Sequence, residues 1–227
     1  MRTMMVDKYW YPPLNVVAHF ERDFTSTLAP KKANEMVAVA VAMAWMQELH
    51  RKPFLIQGVS DAEGSPDVRT LCSDDAQGDR AAWAHQQDVE VVTYTKHSSE
   101  KTLPEFVAAT KLATDAAYDD MTTVLVDVQA GAPLMSQEAW HVALSATGKR
   151  NPVLVLGKIS DKPLVYRLAS VYPVAEWAAD FNPIALLKKQ GYTKVSKLSL
   201  GTKVREAYDP DERHCPFENL GVTCKLI

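Results

Sequence analysis

Two nearly continuous apolar runs, VLVDV at Val124–Val128 and VLVLG at Val153–Gly157, limit what this chain can fold into. A strand with one wet face alternates apolar and polar residues. A strand apolar on both faces belongs in the middle of a sheet covered on both sides by helices. Between the runs lies SQEAWHVALSATGKR, read as a helix capped by Ser136. Upstream, KKANEMVAVAVAMAWMQELHRK allows a period-2 reading, since Val37, Val39 and Val41 alternate with alanines. Its length, its Ala, Met, Glu and Leu content and the following Pro53 favour a helix instead. The middle of that helix is apolar all round, which predicts burial. The expected fold class is α/β, with a mixed central sheet flanked by helices.

The remaining elements follow from turn signals and β-branched runs. PFLIQGVS, DVRTLCS and DVEVVTYT read as three strands, with DAEGSP a turn between the first two. DDAQGDRAAWAHQQ reads as a polar connection with a helical turn. SEKTLPEFVAATKLATDAAYDD is a helix with Ser98 or Ser99 as N-cap candidates, although Pro104 implies a regular part that begins only near there, and PLVYRLASVYP is a further strand. VAEWAADFNPIALLKKQGYTKV reads as one or two helices. The expected organisation is an arm over residues 1–32, an α/β core over 33–175, and a helical and loop extension over 176–227 packed on the core.

Composition excludes several classes. With 227 residues, 47% hydrophobic and 23% charged, the chain can bury a sizeable core. A net charge of −3 is not that of a strongly basic nucleic-acid binder, although a local basic groove can sit on an acidic protein. Three cysteines, Cys72, Cys215 and Cys224, give no disulfide framework and fit a reducing compartment. No apolar run approaches the ~20 residues that span a bilayer, and the N-terminus carries no signal-like apolar stretch. The expectation is a cytoplasmic protein with no membrane partner. Neither a phosphate-cradling P-loop nor a dinucleotide glycine motif is present.

The chemistry-bearing candidates are acids. Asp67 opens the second strand after Gly-Ser-Pro, and Asp88 and Glu90 open the third. Strand alternation puts Asp88, Glu90, Val92 and Tyr94 on one face and Val89, Val91 and Thr93 on the other. Carboxylates on neighbouring strands face one another across about 5 Å. Such a pair suits Mg²⁺, which takes oxygen ligands at about 2.1 Å. A blander account also exists. Asp67 is a good turn residue in any protein, and acids at a strand start are often merely solvated.

The order helix, three strands, helix, strand, with SPDV on one strand and DVEVV on the next, resembles the PD-(D/E)xK nuclease-like superfamily over roughly residues 33–160. The resemblance implies a restriction-endonuclease-like fold and phosphodiester hydrolysis in DNA or RNA with Mg²⁺ or Mn²⁺. It implies Asp67, Asp88 and Glu90 as metal ligands and catalytic groups, with Glu35 on the first helix as a helper. The family's lysine, two residues after the second acid, is missing: Val92 follows Glu90, and Glu90 follows Asp88. Lys96 is in phase but about 20 Å along an extended strand. Lys101, on the following helix, is the candidate for a displaced lysine. The alternative is the same fold without catalysis, serving as a nucleic-acid- or protein-binding module; a homodimer is compatible with either.

Other constellations carry simpler accounts beside functional ones. His214, Cys215 and Cys224 are zinc-type ligands in a spacing that matches no standard knuckle. Cys72 is expected in the core. His97, Ser98 and Ser99 could contact a phosphate or simply cap a loop. Lys149 and Arg150 follow a helix, where cations complement its dipole, and they could also grip a phosphate backbone. Lys188, Lys189, Lys194, Lys197, Lys203 and Arg205 form the most basic stretch, a solvated face or a nucleic-acid surface. Trp83 is the tryptophan expected to be exposed.

Overall fold

In the computed structural model, residues 10–20, 31–52, 54–59, 66–76, 80–95, 102–113, 121–129, 136–174 and 177–189 are described. They form helices α1 (Pro13–Phe20), α2 (Lys31–His50), α3 (Leu103–Thr110), α4 (Gln137–Ser145) and α5 (Pro183–Lys189). The described residues also form seven strands: β1 (Phe54–Gly58), β2 (Val68–Ala76), β3 (Arg80–Tyr94), β4 (Thr123–Val128), β5 (Val153–Asp161), β6 (Leu164–Tyr172) and β7 (Ala178–Phe181). They make one mixed sheet in chain order. β3, β4 and β5 run parallel, joined by crossovers through α3 and α4, and every other neighbouring pair is antiparallel.

The sheet divides two apolar layers, as the near-continuous runs of β4 and β5 require. Val89, Val91, Leu125, Leu156 and Leu168 face α1, α2 and α5. Val92, Val124, Val126, Val153 and Val155 face α3 and α4, with Trp140 and Leu144 of α4 against them. The middle of α2 is buried almost all round, from Met36 to Ala44. Arg51, with φ 53°, takes the left-handed conformation that ends the helix just before Pro53. Ser136 caps α4 as expected, its hydroxyl accepting from Ala139 N at 3.3 Å.

Several expectations are corrected. Part of the N-terminal arm is regular: α1 packs on α2, and Leu14, Val16 and Val17 are core residues. Pro12 and Pro13 stand where a helix tolerates proline, at its start. Of the polar connection expected over residues 74–87, residues 74–76 and 80–87 are strand, with β2 and β3 paired out to Ala76↔Arg80. α3 starts at Leu103, where Pro104 implied, and not at the Ser98 or Ser99 cap. Thr102 is its N-cap, and the Glu105 carboxylate accepts from Thr102 N at 3.0 Å and from its hydroxyl at 2.8 Å. Beyond the expected core limit at 175 the sheet continues. Residues 178–181, expected to be helical, form β7 beside β6. Trp177, Ala179 and Phe181 alternate with the exposed Ala178 and Asp180, and this inward alternation outweighs the helical propensity of alanine. Trp45 of α2 stacks on Phe181 with ring centroids 5.3 Å apart, which ties this edge to the core. Cys72 is half-buried on β2 rather than in the core.

Candidate functional site: two strand carboxylates and a helix lysine

β1, β2 and β3 form an antiparallel meander, and its register sets the site. Val68 pairs with Val89, so Asp67 and Glu90 follow directly opposite one another. Val59 N donates to the Asp67 carbonyl at 3.1 Å, holding its backbone against the end of β1. Val91 N donates to Asp67 Oδ2 at 2.9 Å, which fixes the carboxylate beside β3. Both acids are buried, Asp67 at 7% and Glu90 at 3% exposure, against the blander expectation of solvated strand-start acids.

Burying two carboxylates side by side is costly without compensating charge. The compensation comes from Lys111, at the C-cap of α3. Its Nζ donates to Glu90 Oε2 at 2.6 Å and lies 3.6 Å from Asp67 Oδ2. Leu103 and Val107 are buried against the sheet, and Lys111 continues the same i, i+4 face of the helix. The reach of its side chain then carries the ammonium to the acids while the residue stays partly exposed. One ammonium thus lies against both carboxylates.

The other sequence candidates fall elsewhere. Asp88 lies two residues back along β3, opposite Arg69, whose Nε is 3.9 Å from Asp88 Oδ1. That Oδ1 atom is shut off from solvent with no hydrogen bond among the described residues. Glu35 is buried one turn into α2, with Lys31 Nζ at 3.4 Å. Lys101 lies outside the described residues, as do Lys96, His97, Ser98, Ser99, His214, Cys215, Cys224, Lys194, Lys197, Lys203, Arg205 and the side chain of Trp83. Lys111 was not among the sequence candidates. The signal that could have found it is its spacing of four from Val107 and eight from Leu103, at the end of a helix expected to pack on the acid-bearing strand.

Among the described residues, no three His, Cys, Asp or Glu side chains are grouped closely enough to hold a metal together. The set Asp67, Asp88 and Glu90 is therefore not gathered as one three-carboxylate cage. Two converging carboxylates still suit Mg²⁺, which keeps several waters and binds through one or two carboxylates plus substrate phosphate. No helix among the described residues is long and apolar enough to cross a membrane.

No family model, curated protein or solved structure matches this chain.

Proposed function

We propose that this chain is a restriction-endonuclease-like protein that hydrolyses phosphodiester bonds in DNA or RNA with Mg²⁺ or Mn²⁺. The observation that carries the reading is the convergence of the buried Asp67 and Glu90 on the partly exposed Lys111. It supplies the acid pair that the PD-(D/E)xK resemblance calls for. It also supplies a lysine, borne by the helix after β3 instead of by β3 itself. The meander of β1–β3 and the helical crossover into β4 agree with the element order on which that resemblance rests.

Asp67 and Glu90 are the residues that would hold the cation. When bound, such an ion lowers the pKa of a coordinated water and neutralises charge developing on the phosphate. The chain's own contributions are separate. The Val91 amide orients the Asp67 carboxylate, so it need not reorganise as charge develops. Lys111, already aimed between the acids, places an ammonium where a phosphate oxygen would become more negative. Its partial exposure leaves that ammonium reachable by a polymer lying over the end of α3. Asp88 and Arg69, on the same face toward the start of β3, would border the same track.

The test is cleavage of single- and double-stranded DNA and RNA with Mg²⁺ or Mn²⁺, using Asp67→Ala as control. Metal-dependent cleavage that disappears in Asp67→Ala supports the reading. Cleavage unchanged in Asp67→Ala removes the site. A second reading, the same fold as a non-catalytic binding module, is favoured by the direct Lys111–Glu90 contact, which already satisfies much of the acid pair's charge. Binding of nucleic acid or a protein without cleavage would select it.

A further inference from the structure

We propose that the turn between α4 and β5, carrying Lys149 and Arg150, is a second grip on a nucleic-acid strand whose scissile phosphate lies at Asp67, Glu90 and Lys111. The inference rests on the hydrolase reading for the location of that phosphate, and it adds where the polymer runs.

Topology brings the two places to one edge. α3 and α4 each connect the C-terminal end of one parallel strand to the N-terminal end of the next. Both helices therefore finish at the edge where β4 and β5 begin, packed side by side on the same face. Lys111 ends α3, and Lys149 and Arg150 follow the end of α4. Glu90 pairs with Val124, and Val124 pairs with Val153. Two strand spacings separate Glu90 from Val153, about 10 Å, and Arg150 lies up to about 10 Å further along the chain direction. An offset of that size is a few nucleotides of a strand whose rise is about 3.4 Å per base in a duplex.

The turn is firmly held. Gly148, with φ 71°, takes a left-handed conformation, and its N–H donates to Ser145 O at 3.2 Å. Thr147 Oγ1 donates to Leu144 O at 2.7 Å and accepts from Lys149 N at 3.2 Å. The Tyr172 hydroxyl donates to Lys149 O at 2.8 Å. Asn151 Nδ2 donates to Thr122 O at 2.9 Å, and Val124 N donates to Pro152 O at 2.8 Å. These bonds occupy the backbone and the neutral side chains while Arg150 remains exposed. No described carboxylate lies within ion-pair distance of Arg150. A cation complementing the dipole of α4 would need no such framework. The half-buried Lys149 and the exposed Arg150 follow the end of α4 at the same edge of the fold as the end of α3 with Lys111, and they add positive charge to that edge of an otherwise acidic protein. Among the described residues, Asp88 is a further carboxylate near the acid pair, and Arg69 faces it.

The test compares the full chain with Lys149→Gln/Arg150→Gln and with Lys149→Arg/Arg150→Lys. Binding of fluorescent single- and double-stranded DNA and RNA is measured by anisotropy across a salt series, with cleavage assayed in parallel. In the glutamine variant binding should weaken about tenfold at low salt on every sequence, and the log–log salt slope should fall by roughly 1.4–1.8. The charge-retaining variant should bind as the parent does, and the arms that bind identify the polymer. Unchanged affinity and slope in the glutamine variant would overturn the inference even if the parent cleaves, leaving the hydrolase reading intact. No binding by the parent would overturn it as well. Parent binding with the expected slope loss, but without metal-dependent cleavage, would support the basic turn and reject hydrolysis.

Discussion

Lys111 Nζ lies 2.6 Å from Glu90 Oε2 although 21 residues separate them in the chain. The helix that carries the lysine thus completes the electrostatics of the strand that carries the acid. Each depends on the other, because Glu90 is buried and an unpaired buried carboxylate is strongly destabilising.

Lys111→Met keeps much of the side-chain volume and removes the charge. Stability should fall by about 3 kcal/mol, the low end for breaking a buried pair, since the lysine is partly exposed. Added Mn²⁺ should restore more of the melting temperature in this variant than in the parent, because a cation can take over the neutralising role. Hydrolysis should drop by roughly 10²–10³, the loss typical of one removed transition-state donor. Calorimetry with and without Mn²⁺ checks the first part and single-turnover cleavage the second. A melting temperature equal to that of the parent would show that the triad is not stabilised as described.

The α3–α4 face depends on Trp140, which is 1% exposed and packed with the inner residues of β4 and β5. Trp140→Ala should cost about 3–5 kcal/mol, from lost burial and the cavity left behind. Urea unfolding gives the number. A loss below about 1 kcal/mol would mean that the face collapses around the gap.

Asn151 anchors the start of β5 to the end of the loop before β4, through its hydrogen bond to Thr122 O. Asn151→Ala removes this buried hydrogen bond and should cost about 1–3 kcal/mol. Hydrogen exchange should quicken at the start of β4 and β5 and leave β1 unchanged. Equal quickening across the whole sheet would point to global destabilisation instead.

Asp127 on β4 gives a pH-dependent outcome of definite sign. Burial pushes its carboxyl above the usual range, against the opposing hydrogen bond from Gln129 and the charge of Lys158. With a folded pKa above the unfolded one, the native state holds the proton longer, so stability falls as pH rises from about 4 through the folded pKa. Asp127→Asn removes that loss. Its melting temperature should exceed the parent's at pH 7, and the two should converge near pH 3. A variant less stable than the parent at pH 7 would reverse the assignment. Nearby, burial and the charges of Asp127 and Asp161 push the Tyr166 phenol above its ordinary range, so it stays neutral throughout this window.

Much of the sheet was legible because its signals are local. Length and composition identified α2 against a competing period-2 pattern, and the apolar runs marked β4 and β5 as central strands. The acids Asp67 and Glu90 were legible through strand phase and the antiparallel order of β2 and β3. Lys111 was not, because it stands at the far end of α3, and only the packed face of that helix brings it to the acids. Lys101 was simply nearer in sequence. Residues 178–181 were misread because alanine-rich segments favour helices when alone, whereas here the open edge of β6 supplies hydrogen-bond partners.

The strands follow one another across the sheet in the order in which they occur in the chain. No strand has to be threaded between two that are already paired. During synthesis each new strand meets a finished edge, so the sheet can be laid down from β1 to β7 as the polypeptide leaves the ribosome. On that schedule Asp67 and Glu90 come opposite one another before Lys111 arrives, and its ammonium joins them only when α3 emerges. Stalling the nascent chain just before and just after Lys111, and comparing protease resistance of β2 and β3, would show whether the lysine is the step that locks the meander.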